Sequence, residues 1–167
     1  MTVLTHSEFY RPRWRTIVVG ALAFWLSSSL LLDFVIMPTM YAAGMTTEPG
    51  FAAAGYSLFW IFNRVELLCA AFALTGVLVL KTLDASSLHR WAVPISATLL
   101  AIALIYTYGL TPEMSSLGLQ LNWFEPRSEA PALMNQMHGS YWALELLKLT
   151  AAGLLLRSYI TQAKFAD

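Results

Sequence analysis

Charge is scarce in this chain. Only 12% of its 167 residues are Asp, Glu, Lys or Arg, and 57% are apolar, whereas a soluble domain carries about a quarter charged residues. With the apolar residues gathered into long blocks, that composition points to lipid as the main solvent and to an integral membrane protein. Acids and bases balance at ten each, for a net charge of zero, so there is no electrostatic case for nucleic acid or for an acidic soluble partner. Cysteine is nearly absent. Cys69 stands alone, which excludes an internal disulfide and the paired-thiol chemistry of small membrane oxidoreductases. No glycine-rich phosphate loop is present, and no Ser or Cys lies with a His and an acid at one depth. The sequence therefore gives no support for an enzyme.

What is present is four apolar segments of spanning length, which needs roughly 20 residues. They are 16–37, ending at Pro38; 51–80; 91–110, stopped by Thr111-Pro112; and 138–157, whose helix begins earlier, near Pro131. The first is too long for a cleaved signal peptide, and Asp33 interrupts its end. The expected fold class is an all-α integral membrane bundle of four transmembrane helices in two hairpins. A basic segment, 1–15, precedes a single transmembrane domain over 16–160, and 161–167 form a tail. No repeat unit, low-complexity segment or linker is visible. The connections on the side of the termini hold Arg11, Arg13, Arg15, Lys81, Arg90, Arg157 and Lys164, against Arg127 alone on the other side. The positive-inside rule then puts both termini in the cytoplasm or stroma, as in a bacterial inner membrane or a thylakoid.

The second outer connection is long. Thr111, Pro112 and Glu113 open it with the chemistry of a helix start. Met114, Leu117 and Leu121 follow at helical spacing, then Trp123 and Phe124. This reads as a short interfacial helix anchored by aromatics; an ordered loop that closes the bundle is the alternative. The tryptophans form the usual interfacial belt, except Trp25, which is mid-span and reads as packing. The run Ser27–Ser29 reads as small residues for close helix approach.

Five ionisable residues lie within the spans: Asp33, Arg64, Glu66, Glu145 and Lys148. At 1.5 Å per residue from the cytoplasmic end, Asp33 and Arg64 fall at roughly 24 to 26 Å, Glu66 at about 21 Å, Glu145 at about 18 Å and Lys148 at about 13 Å. Arg64 leans outward, where it can snorkel, with Asp33 at matching depth as its internal partner. Glu145 and Lys148, three apart, form a local pair. Arg64 and Glu66 point to nearly opposite faces, which leaves Glu66 unassigned beside Asn63. Two readings stay open: paired charges that fix helix order, or a functional Glu66–Asn63 face serving as a proton-exchanging carboxyl, an ion site or a cofactor ligand.

Haem is disfavoured. Bis-histidine ligation needs two histidines at one depth, but His89 and His138 fall at opposite edges and His6 lies in the basic segment. Apart from Met1, the methionines all lie toward the outer side. The pairs Met37/Met40 and Met134/Met137, with His138 adjacent, offer thioethers of the kind that suit soft ions such as Cu(I). As flexible apolar fillers at helix ends they need no metal.

The motifs FWLSSSLLLDFVIMPTMY, FNRVELL, LTPEM and MHGSYWALELLKL, spread from about 16 to 157, resemble a four-span membrane family of unknown function. Its eukaryotic members include a transmembrane protein associated with cisplatin resistance, and LLLDFVIMP and FNRVELL look most like its cyanobacterial members. The resemblance implies a helical membrane domain and carries no catalytic residues. The expectation is a non-enzymatic accessory or assembly subunit of a larger, photosynthetic or respiratory membrane complex. Its partners would be the bilayer and that complex, with chlorophyll or carotenoid at the contact and Glu66, Asn63, Glu145 and His138 as pigment or ion ligands. The rival is a small transporter or metal-handling protein that uses the intramembrane carboxylates and the outer methionines.

Overall fold

The computed structural model describes residues 6–45, 48, 50–83, 90–120 and 130–164. Regular structure among these is entirely helical. Helix α1 (His6–Leu31) passes through a π-helical turn, Leu32–Ile36, into α2 (Met37–Ala42). Helix α3 covers Phe51–Leu83 and α4 covers Ala92–Ile105. A second π turn, Tyr106–Leu110, leads from α4 into α5 (Thr111–Gln120), and α6 runs from Ala130 to Lys164. Three helical stretches are long and apolar enough to cross a membrane: Pro12–Ala42, Phe51–Leu83 and Ala92–Gly118.

Two expected helix ends are corrected. The first span does not end at Pro38, and the third does not stop at Thr111-Pro112. Proline lacks an N–H, and its ring presses on the carbonyl four residues back. Here each proline sits just beyond a π turn. The Met37 N–H bonds Leu32 O and the Thr111 N–H bonds Tyr106 O, each five residues back. The widened turn takes up the proline's misfit and the helix runs on. Helix α5 therefore continues the third helix, where the sequence suggested a new start at Thr111. Leu121, Trp123, Phe124, Arg127 and His89 lie outside the described residues.

Helix α1 packs on α3 and α6, and α4 packs on the same two, so the four long rods close a ring. Val18, Leu22, Trp25, Ala73, Val77, Leu99, Ala152 and Leu155 fill its centre. Close approach relies on small residues. A Cβ added to Gly76 would collide with the Val18 side chain. At the Arg15 end the Arg15 guanidinium donates to Tyr159 O at 2.6 Å, tying α1 to the last turns of α6. Outward faces carry Phe24, Phe34, Ile61, Phe72, Leu146 and Leu154 exposed, an apolar girdle far larger than a soluble monomer shows.

The ring also contains a repeat that residue identities hide. Val18, Leu22, Trp25, Ser29, Leu32 and Asp33 are buried in the first rod; Ala92, Ser96, Leu99, Ala103, Tyr106 and Thr107 are buried at the same spacing in the third. The π turns and the prolines after them coincide in that register. Helix α6 matches α3 in the same way, with Glu66/Glu145, Cys69/Lys148, Ala73/Ala152, Gly76/Leu155 and Leu80/Tyr159 as buried pairs. The two helical hairpins thus share one pattern of buried positions and π turns. Apolar and small residues exchange freely at such sites, so burial keeps a pattern that residue identity has lost.

Candidate functional site

On α1 and the π turn after it, Trp25, Ser29 and Asp33 recur every four residues and share one inward face. About 12 Å of helix separates the first from the last. On α6, Tyr141, Glu145 and Lys148 do the same, and Glu66 faces them from α3. The resulting polar layer is dry: Glu145 is 0% exposed, Glu66 1% and Lys148 2%.

Lys148 is its hub. Its ammonium lies 2.7 Å from Glu145 Oε2 and also bonds Glu66 Oε1. The same Glu66 oxygen accepts from Trp25 Nε1 at 2.8 Å and from the Ser29 hydroxyl at 3.1 Å. Aromatic faces surround the ammonium, with the Tyr106 ring centre at 5.3 Å and that of Trp25 at 5.9 Å. The Tyr106 hydroxyl reaches Glu145 Oε2 at 3.1 Å and Tyr141 O at 3.0 Å, its single proton shared between them. The Tyr141 ring lies 5.1 Å from that of Tyr106, and its hydroxyl donates to Asp33 Oδ1 at 2.7 Å. A line of polar groups thus leads from Asp33, nearer the Pro38/Pro112 end, down to Glu66. Beyond it toward the Arg15 end the core is apolar.

The layer is unbalanced. Among the described residues it holds three carboxyl groups and one ammonium, which reaches Glu66 and Glu145 but not Asp33. Two carboxyl oxygens, Asp33 Oδ2 and Glu145 Oε1, are buried without a hydrogen-bond partner. Leaving charged oxygens so placed is expensive. The arrangement calls for protons or a cation to complete it. π turns often mark functional sites, and here both contribute to the layer: Asp33 from one, Tyr106 and Thr107 from the other.

The residues expected from sequence separate into those brought together and those held apart. Glu145 and Lys148 pair as their spacing suggested, and Glu66 joins them across the bundle. Asp33 and Arg64 do not meet. Asp33 takes its proton donor from Tyr141, while Arg64 is exposed, stacks 3.3 Å over the Trp60 ring and donates to Trp60 O at 2.8 Å. One turn of its own helix satisfies the arginine, so it has no need of Asp33. Asn63 is buried, but it donates to Thr111 Oγ1 at 2.7 Å and its carbonyl accepts from Thr107. It joins α3 to the third rod and stands apart from Glu66. His138 is exposed, with Nδ1 2.9 Å from Met134 O, well outside the layer. Met37, Met40 and Met134 are half-buried and Met137 is buried. Among the described residues, no three of His, Cys, Asp and Glu converge as metal ligands.

Trp25, Ser29, Tyr106 and Tyr141 were not legible as site residues, because each has an ordinary packing explanation. The available signal was spacing: Trp25–Ser29–Asp33 and Tyr141–Glu145–Lys148 each lie on one helical face with the acids. Comparisons with family models, with curated proteins and with solved structures give no match to this chain.

Proposed function

We propose that this is a four-span membrane protein whose buried layer binds and exchanges protons or small cations, which makes it a small transporter. One observation carries the reading: three buried carboxyls lie in one layer, only Glu66 and Glu145 reach Lys148, and Asp33 Oδ2 and Glu145 Oε1 have no hydrogen-bond partner. Ionisable groups inside a membrane mark ion and proton paths by default. The fourth span is α6. Its charges Glu145 and Lys148 are neutralised within the bundle, and its outward face presents Trp142, Leu146, Leu147 and Leu154 to lipid. The Lys and Arg bias puts both termini on the cytoplasmic or stromal side, so the layer lies in the half of the bundle nearer the outer face, where α5 projects toward the interface. The apolar core on the Arg15 side is the barrier that keeps such a site from being a leak.

The expectation of an accessory subunit rested on charges on opposing faces of the second span, which a four-span chain has trouble hiding alone. Glu66 has Lys148, and Arg64 has Trp60 and the outer headgroups, so that motive is gone. The resemblance to the four-span family and its cyanobacterial members remains compatible with either role.

Reconstitution decides between them. In liposomes holding a pH-sensitive dye, the full chain is expected to collapse an imposed proton gradient, and Glu66→Gln and Glu145→Gln to abolish this. Proton flux no greater than in empty liposomes, together with co-purification in a large complex containing chlorophyll or carotenoid, would favour the accessory role and end the transport reading.

A further inference from the structure

The burial pattern that the two hairpins share passes through the polar layer. Glu66 in the first hairpin and Glu145 in the second hold equivalent buried places, and both carboxylates converge on one ammonium. The position equivalent to Lys148 is Cys69, which is buried and free. The two carboxylates are supported differently, Glu66 by Trp25 and Ser29 and Glu145 by Tyr106, and one hairpin supplies the ammonium that both bind. We infer that the centre of the bundle is a two-fold seat for a primary ammonium group, to which each hairpin gives one glutamate, and that Lys148 fills it as a tethered occupant.

The chemistry of the seat is specific. An R–NH3+ group has three donors and no acceptor. Two of them meet carboxylates from opposite sides of the seat, and the Tyr106 and Trp25 rings present π faces to the charge. A quaternary ammonium has no N–H to give those carboxylates. A metal ion is a poor occupant where no third His, Cys, Asp or Glu converges among the described residues. A cleft of about 450 Å³ lies between α5 and α6 at the Pro112 end, outside the buried layer, where Leu117 and Met137 form apolar wall and Glu113, Gln136 and Ser140 are polar. The Tyr141 and Tyr106 rings, 5.1 Å apart, lie at the layer itself, with the Tyr106 hydroxyl on Glu145. Apolar wall with a single carboxylate suits an amine on a short alkyl chain. On the exchange reading, a cation able to take this seat when Lys148 leaves it is a small primary amine in its ammonium form. This identity of the cargo rests on the exchange reading; the existence of the seat does not.

The test is chemical rescue in the purified full chain. Lys148→Ala should lower the thermal midpoint in detergent, and methylammonium chloride should restore most of the loss in a saturable way. Sodium and tetramethylammonium chloride should not, and rescue should vanish when Glu145→Gln is added. If Lys148→Ala does not fold, the transposed variant decides. Cys69→Lys with Lys148→Cys should lie closer to the native midpoint than Lys148→Cys alone, because the seat accepts the lysine from either hairpin. Rescue selective for methylammonium, or recovery on transposition, upholds the seat. Methylammonium acting no better than tetramethylammonium, with a transposed variant no better than the single one, overturns it. Failure of proton flux in liposomes with rescue intact would remove the transport reading and leave the seat standing.

Discussion

The two ends of the bundle core are built on opposite terms. Toward Arg15, Val18, Leu22, Ala73, Val77, Ala152 and Leu155 meet side to side with small residues between the helices. Toward Pro38 and Pro112, Glu66, Glu145, Lys148, Asp33 and two tyrosines fill the same ring. Apolar contact dominates the first region, with the Arg15–Tyr159 hydrogen bond at its edge, so shape decides what it tolerates. Charge balance holds the second, so removing one partner is worse than removing the set. A membrane protein that only needed stability would have continued the first arrangement along its whole length. The polar end is costly, and the proposed binding role would account for that cost.

The largest effect should come from the hub. Lys148→Met removes the layer's only cation among the described residues and leaves two glutamates facing each other; we expect a loss of about 3 to 5 kcal/mol in unfolding from detergent. Adding Glu66→Gln and Glu145→Gln should restore a large share of that loss. If the triple variant is as unstable as the single one, charge balance is not what holds this end.

Next comes the apolar end. Gly76→Ala places a methyl group against the Val18 side chain, an overpacking expected to cost about 1 to 3 kcal/mol. Gly153→Ala, where the new methyl meets nothing within 4 Å, should stay within about 0.5 kcal/mol of the parent. Equal effects at the two glycines would show that helix approach at this end is not tight.

Much of this contrast was visible in the sequence, and the part that was not has a physical cause. Four long apolar segments and the Glu145–Lys148 spacing identify the rods and one ion pair without a structure. Pro38 and Pro112 misled because a proline rule for helix interiors cannot anticipate a π turn placed upstream to absorb the ring. Arg64 misled because depth along a helix says nothing about azimuth: Asp33 matches its height yet faces the core, while Arg64 faces out. The burial pattern common to the two hairpins was hidden because Trp25/Leu99 and Cys69/Lys148 share burial and not chemistry.

A smaller effect separates the tyrosines from the acids they serve. Tyr141→Phe strips Asp33 Oδ1 of its donor and should cost about 1 to 3 kcal/mol. A double-mutant cycle of Tyr141→Phe with Asp33→Asn should be strongly non-additive. The cycle of Asp33→Asn with Arg64→Gln should be additive to within about 0.3 to 0.5 kcal/mol, as for groups without a shared partner. Coupling between Asp33 and Arg64 beyond that would restore the pairing expected from depth alone. The smallest change belongs to Arg64→Gln by itself. It removes an exposed stack on Trp60 and is expected to cost about 0.5 to 1 kcal/mol.

The central claim is that the polar layer exchanges protons or cations, and one spectroscopic measurement addresses it most directly. Infrared difference spectra of the purified chain, taken through a step from acidic to alkaline buffer, report the C=O stretch of protonated carboxyl groups. The account predicts a band in the buried-carboxyl region that changes across the step and is lost or displaced in Glu145→Gln or Glu66→Gln. A spectrum in which no buried carboxyl responds to the step, in the parent or in either variant, would contradict it.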